Sequence, residues 1–331
     1  MTWRVAAAML AAVVVLAPAT GGAHVISDRE LVVLRALPSG AVTGLRAPEM
    51  PDTSGLAGAN RRGWHGLEAQ RRSLYLLADA SARGDTLLAE RAWKSLDAAL
   101  AHQRPDGGIA GEAAPAGAGA SSTEALATSR WLGETCRALI AVMNSPLQDR
   151  FRWRYSLMLL KLRKVADWLV AAQAAPGEAR AAGAEWLLAD AEAFLLADGI
   201  FHEETFGRAG QRAMVAALAL QRPDGGFTGG RAAATPESQA WCVTSLQAVT
   251  QYFPAPSLET ALSRAAKALA GHVTGDGRLR GPGREAATGR DVALALTLYA
   301  ARSGDRDVAA RAARMRDRLM APAGRPRSLP D

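Results

Sequence analysis

Gln221-Arg222-Pro223-Asp224-Gly225-Gly226-Phe227 is a stretch this chain uses more than once. Gln103-Arg104-Pro105-Asp106-Gly107-Gly108 repeats its first six residues, with Ile109 in place of Phe227. Thr274-Gly275-Asp276-Gly277-Arg278-Leu279 keeps the turn without the Gln or the Pro. Each copy follows an Ala/Leu-rich stretch of helical pattern and precedes a second one whose start carries a glutamate. Pro ends the preceding helix, Asp tolerates a tight turn, and glycine supplies positive φ. The Gln is expected to bond free backbone groups between neighbouring helices. Reuse of one supersecondary unit fixes an architecture before it says anything about chemistry.

The spacing of the copies sets the unit. Asp224 and Asp276 are 52 residues apart, the length of two helices and two turns. Asp106 and Asp224 are 118 apart, about two such units plus a longer loop. The missing copy falls near Gln173, where Ala172-Gln173-Ala174-Ala175-Pro176-Gly177-Glu178 reads as a decayed turn. Apolar residues at three- and four-residue spacing, with few strand signals, predict five helix pairs. These are 64–83 with 85–102, 122–144 with 150–174, 182–198 with 205–221, 236–253 with 257–272, and 286–302 with 305–320. No pair can bury its apolar face alone, so about five to six hairpins must stack as a ring or a solenoid.

The termini carry different signals. Residues 1–23 read as a secretory leader, with Arg4 as the positive region, an apolar run over 5–17, and small residues Gly21 and Ala23 before a cleavage point at His24. That run is too short for the roughly 20 residues a spanning helix needs. The chain is therefore expected to be exported, periplasmic or secreted. Residues 24–63 read as an extension, with a short leading helix over 24–37 and an extended, Gly/Pro-rich linker wrapping the domain. The helical domain is expected over 64–320 and a disordered tail over 321–331.

The formal net charge is +7, carried mostly by arginine. An exported basic protein could meet anionic polysaccharide, cell wall or a phospholipid surface, and the plainer reading of the same charge is a solvated basic surface. No nucleic-acid motif is present, and no cofactor is implied. Cys136 and Cys242 lie in helical stretches at registers about 10 Å apart along the axis, too far for a disulfide, and are expected as buried thiols.

The Gln221 turn followed by Thr235-Pro-Glu-Ser-Gln-Ala-Trp-Cys-Val-Thr-Ser-Leu-Gln-Ala248 resembles a repeat of the terpenoid cyclase and protein prenyltransferase toroid superfamily. The resemblance covers roughly residues 64–320 and implies an all-α, α/α toroid with inner helices lining a central cavity and outer helices around them. It does not extend to the chemistry. The cyclase Asp-x-Asp-Asp acid is absent, and aromatic residues are only 5% of the chain, against a carbocation-binding cavity. The prenyltransferase zinc set fails because no Asp stands two residues before Cys242. The thioester Cys-Gly-Glu-Gln and the lanthionine-cyclase Cys and Cys-His ligands are also missing, so no metal site is expected.

What remains is polar residues at the starts of the first helices of the pairs. Trp64, His65 and Glu68 open the first pair, and Glu124, followed by Trp131, the second. Glu185 and Trp186 open the third, Glu237 and Trp241 the fourth, and Glu285, Arg290 and Asp291 the fifth. Arranged around one axis these starts share one mouth. Glu124, Glu237, His65 and Asp291 are the candidate acid and base groups. Trp64, Glu68, Trp131, Glu185, Trp186, Trp241, Glu285 and Arg290 are candidate ligand contacts. Glutamates in a first helical turn also serve the helix dipole, and Thr235-Pro236-Glu237 is an ordinary cap series.

His202-Glu203-Glu204 reads as capping acids. The helix over 150–170, with Arg150, Arg152, Arg154, Lys161, Arg163 and Lys164 beside apolar residues, reads as an outer helix whose cations snorkel, or as a membrane-surface contact. Three functions stay open. One is an exported toroid that binds a polymer, lipid or protein partner at its mouth. The second is a polysaccharide lyase or glycoside hydrolase, and the third a terpenoid-processing relative without the cyclase acid.

Overall fold

The structure, a computed structural model, describes residues 29–57, 64–110, 122–174, 183–229, 235–280 and 285–321. The leader, the decayed turn beyond Ala174, most of the loop after Gly108, the tail and the side chain of Glu285 lie outside the described residues. Among the described residues there are helices and isolated bridges, and no strands.

Two short helices lead, α1 (Arg29–Ala36) and α2 (Ala41–Arg46), followed by a 3-10 turn at Ala47–Glu49. The first predicted hairpin has a broken inner helix, α3 (Leu67–Arg71) and α4 (Leu74–Arg83), and an outer helix, α5 (Thr86–Ala101). The others are α6 (Ser122–Met143) with α7 (Gln148–Ala174), α8 (Ala184–Phe201) with α9 (Glu204–Leu218), α10 (Pro236–Tyr252) with α11 (Pro256–Gly271), and α12 (Glu285–Ser303) with α13 (Arg306–Met320). All five predicted pairs are present, with ends shifted by a few residues.

Burial separates the two rings. The middle turns of α4, α6, α8, α10 and α12 are buried on every side (74–82, 131–142, 188–197, 239–251 and 291–300), whereas α5, α7, α9, α11 and α13 bury one face each. The inner helices pack in chain order, α4 on α6, α6 on α8, α8 on α10 and α10 on α12. They are parallel, because the starts of neighbours meet: Arg130 pairs with Glu185, and Glu237 with Thr288. The apolar side chains form an annulus between the rings, and the lumen is left to polar groups.

The ring closes through the N-terminal segment. α1 packs on α4, α10 and α12, and α2 on α4, α12 and α13. Sequence reading had placed an extended wrapper over 38–63. The helical α2 and its 3-10 turn occupy part of it instead, because they bury Val42, Leu45 and Arg46 against the last hairpin.

The repeated turn shows why its residues recur. Gln221 Nε2 donates to Gly225 O in its own turn and to Ala261 O on α11, the next outer helix. Gln103 does the same to Gly107 O and to Lys161 O on α7. The expected staple is therefore present in both intact copies. Asp224 Oδ1 accepts from Gly226 N at 2.9 Å, and Asp106 Oδ1 from Gly108 N at 3.0 Å. The first glycine of each pair, Gly107 or Gly225, has φ near +100° or +92° and sits directly under a carbonyl of the following outer helix. Any Cβ there would collide with that carbonyl.

The degenerate copy has Val273 where the Gln would be, and Arg311 of α13 supplies the cross-link by donating to Ala270 O and Val273 O. A further copy, not visible in the sequence, is formed by Asp52 to Leu56. It has the same two backbone bonds, and Gly55 lies under Lys94 O of α5 with φ +88°. It lacks the Gln, the second Gly and any helix-stopping Pro at the equivalent place, so only its backbone geometry reveals it. The N-terminal segment is thus a shortened sixth member of the ring.

Gly225→Ala is expected to destabilise the protein by more than Gly84→Ala. Both place Ala at positive φ, a strain of about 1–3 kcal/mol. Only at Gly225 does the new Cβ also meet a backbone carbonyl, whereas space beside Gly84 is open. Urea unfolding of the two variants measures the difference, and equal losses would mean that the close approach contributes nothing.

Candidate functional site

The inner-helix starts do converge, and the surface they form is floored by ion pairs. Arg130 of α6 bridges two carboxylates, Glu68 of α3 at 3.0 Å and Glu185 of α8. Glu68 also accepts from Arg71 at 2.6 Å, and Arg71 pairs one layer deeper with Glu134 of α6 at 3.0 Å. Trp241 of α10 lies under both guanidiniums, with Arg71 at 3.6 Å and Arg130 at 4.8 Å from its ring centroid. These contacts cross the lumen between helices that are not neighbours. A cation held against an indole face in a desolvated site is a strong member of its class.

Beside this cluster, Asp291 of α12 is buried between Arg46 at 2.6 Å and Arg72 at 3.2 Å. The break between α3 and α4, where Ser73 Oγ donates to Gln70 O, lets the consecutive Arg71 and Arg72 both find lumen acids. Deeper still, Arg137 lies near Glu30 of α1 and Glu192 of α8, with its guanidinium 4.4 Å from the Tyr75 ring centroid. α6 thus supplies charges at successive turns, Arg130, Glu134 and Arg137, and α3, α8 and α1 supply their partners. Sequence reading found the mouth acids but missed the arginines Arg71, Arg72, Arg130 and Arg46. Arg46 and Arg130 adjoin apolar residues and could have been singled out, whereas Arg71 and Arg72 stand in the polar stretch Glu68-Ala-Gln-Arg-Arg-Ser73, which carries no such signal.

The remaining candidates are distributed differently. Glu124 pairs with Arg104, whose guanidinium also binds Asp106 and lies 5.5 Å from the Trp168 ring centroid, so it locks the repeat turn to α6. Glu237 is half-buried, and its Oε2 accepts from Thr288 at 3.4 Å. Thr235 and Ser238 close a capping box there with Pro236 in the first turn. Trp64 stacks on His102 at 4.1 Å and donates to Ala110 O, which commits one of its faces. His65, Trp186 and Arg290 are half-buried at the same end. Trp131 is fully buried in the annulus and does not reach the mouth, and Trp241 is almost as enclosed.

Charge state follows from these surroundings. Burial would raise the Glu68 carboxyl, but the Arg71 and Arg130 guanidiniums outweigh it and hold it at about 2. Burial is likewise outweighed at Asp291, which Arg46, Arg72 and Arg71 hold below the usual carboxylate range. Farther in, burial prevails. Glu192 is pushed up to about 7 against the pull of Arg137, and Asp190 to about 7 despite hydrogen bonds from Ser129 and Gln173. Glu134 and Glu30 are raised for the same reason. A general acid needs a pKa near the working pH and access to substrate. Here the groups held at about 7 are enclosed, whereas Glu68, 43% exposed, stays ionised.

Several buried polar atoms of the floor have no hydrogen-bond partner among the described residues. They are the donors Arg71 Nη2, Arg72 Nε, Arg130 Nε and Trp241 Nε1, and the acceptor Glu134 Oε2. Donors exceed acceptors in this cluster. Both cysteines are free and buried, and burial pushes the Cys242 thiol up to about 12, so neither has the character of a nucleophile. Among the described residues no three His, Cys, Asp or Glu side chains converge as a metal set.

No protein-family model matches the chain, and no curated protein matches it. Solved structures do. A variant of unsaturated glucuronyl hydrolase from Streptococcus agalactiae superposes with a TM-score of 0.55 at 12% identity, over 88% of this chain and 78% of that one. A second variant of that enzyme, complexed with dGlcA-GalNAc6S, gives 0.52 at 11% identity over 89% and 78%. The ent-copalyl diphosphate synthase from Streptomyces platensis gives 0.50 at 20% identity over 84% of this chain and 50% of that one. At these identities the likeness is one of fold. The chain has an α/α-toroid fold, an architecture it shares with glucuronyl hydrolase and with the copalyl diphosphate synthase.

Two outcomes are expected from the floor. Raised carboxyls take up protons on folding between about pH 4.5 and 7, so their stabilisation is complete below the unfolded carboxylate pKa and is lost as pH rises through 7. The Tm should therefore be higher at pH 5 than at pH 8, and Glu192→Gln, which imitates the protonated acid, should narrow that gap; an unchanged gap would remove Glu192 from the account. Asp291→Ala removes the carboxylate that Arg72 and buried Arg46 share and is expected to cost about 3–5 kcal/mol in denaturant unfolding.

Proposed function

We propose that the protein is an exported toroid that binds a polar polymer, a polysaccharide, at its mouth and does not cleave it. The observation that carries this reading is the pairing of the mouth carboxylates. Glu68 and Asp291 are held ionised by arginines, and Glu185 and Glu124 are ion-paired. A carboxylate committed in this way does not donate a proton to a leaving group. Half-buried Trp64 and Trp186 on the rim offer partial faces for a sugar ring. The likeness to a glucuronyl hydrolase complexed with dGlcA-GalNAc6S supports the same ligand class by analogy of fold alone. Export rests on the leader and partner charge on the basic balance.

One observation favours cleavage. Glu237 is a mouth carboxylate with no ion pair among the described residues, and it sits beside Thr288. The test therefore measures binding and chain length together, on a panel of neutral and acidic polysaccharides and peptidoglycan. Retention by the wild-type protein without shortening is expected. Arg130→Ala, which dissolves the Glu68–Arg130–Glu185 bridge, is expected to weaken binding by about tenfold or more, as for the loss of a charged hydrogen bond. Shortening that disappears in Glu237→Gln would overturn the binding reading in favour of a polysaccharide-cleaving enzyme.

A further inference from the structure

An outer helix of a toroid needs one apolar face, and α7 has two. Phe151, Met158, Leu162, Val165 and Leu169 are buried against the ring. On the opposite side Trp153, Leu157 and Leu160 are 72%, 58% and 74% exposed. Their spacing of four and three residues places them on successive turns of one stripe. Lys164 continues the same line, so the stripe runs for about 16 Å along the helix. Large apolar side chains aligned and fully presented to water are a liability unless something covers them.

The flanks of the stripe identify the covering surface. At 100° per residue, Arg150, Lys161 and Arg154 border one edge, whereas Asp149, Ser156 and Asp167 border the other, with Arg152 and Arg163 beyond them. These five cations, with Lys164, meet four carboxylates: Glu90, shared by Arg150 and Arg154, Asp149, and the pair Asp167 and Glu203 at Arg163. The arginines remain about half exposed despite those contacts. A Trp and two leucines bordered by outward cations along one edge, with Lys164 at the end of the stripe, on the convex outside of a ring, match the boundary between lipid headgroups and acyl chains. A solvated helix face would not present the three apolar residues.

We propose that α7 is the docking face of this protein for an anionic lipid surface, with Trp153, Leu157 and Leu160 entering the headgroup boundary and Arg150, Arg154, Lys161 and Lys164 facing the phosphates. The inference is independent of the mouth. It describes contact with a surface, and among the described residues no helix is long and apolar enough to cross a membrane.

The experiment is co-sedimentation of the protein with vesicles of phosphatidylglycerol and phosphatidylcholine, against phosphatidylcholine alone. Comparison is with Trp153→Ser/Leu157→Ser/Leu160→Ser, so any contribution of the apolar N-terminal run is common to both proteins. The wild type is expected to favour the anionic vesicles, to be released by high salt, and to lose roughly tenfold in bound fraction in the triple variant. Lys161→Glu/Lys164→Glu keeps the stripe and is expected to lose the anionic preference. These positions are exposed, so an unchanged melting curve will show that the variants fold. Equal binding by wild type and triple variant, or none by the wild type at low salt, overturns the proposal. A concentration-dependent dimer that disappears in the triple variant without vesicle binding overturns it in favour of a second copy of this chain.

Discussion

Arg71 is completely buried at the centre of the ring, and the rest of the hub is organised around its charge. A guanidinium cannot shed its proton in a protein, so burial has to be compensated by partners. Glu68, Glu134 and the face of Trp241 supply them from α3, α6 and α10. Glu68 then reaches Arg130, and Arg130 reaches Glu185, so compensation passes from helix to helix until it has crossed the lumen. The same requirement holds at Arg46 with Asp291 and at Arg137 with Glu30 and Glu192. A toroid whose lumen was apolar would close by hydrophobic contact between neighbours. This one adds charge pairing to the apolar contacts of its closing segment, and through Trp241 it ties α10 to the non-neighbouring α3 and α6 as well.

That difference bears on function. The described lumen is lined by charged side chains, among them Arg71, Arg130, Glu134 and Asp291, a surface suited to polar rather than hydrocarbon groups. The rim above the hub is left as the usable surface, and it is polar. The outside contributes separately through α7, where exposed apolar groups stand among cations. One ring can thus present a ligand-facing end and a surface-facing side without either altering the other.

Much of the fold was legible in the sequence because the repeat turn states its own geometry. Gln, Asp and Gly each answer a backbone demand, and Gln221 and Gln103 meet it as their chemistry suggests. Helix pairs followed from apolar spacing between turns. The shortened sixth member was hidden because Asp52 to Leu56 meets the same backbone demand with different residues, and Arg91 and Lys94 of α5 reach back to Pro51 O and Thr53 O in place of a Gln. In the site, the position of the mouth was legible and its chemistry was not. Whether Glu124 faces a ligand or Arg104 depends on a partner 20 residues away across a turn. Asp291 depends on Arg46, 245 residues away, which no local pattern announces. Charge pairing in a lumen is a property of the closed ring.

The bond between Arg46 and Asp291 also sets an order of events. Open repeat proteins can consolidate from either end, because each unit leans only on the next. Here the first segment cannot bury its charge until α12, near the other end of the chain, has been made and has folded. Until then α2 carries Arg46 without the Asp291 carboxylate that receives it. Contacts of such long sequence separation are slow to form, because the loop they close is costly in entropy. Completion of the ring is therefore a late, all-or-none step, and a chain interrupted before α12 lacks the partner that holds its beginning in place.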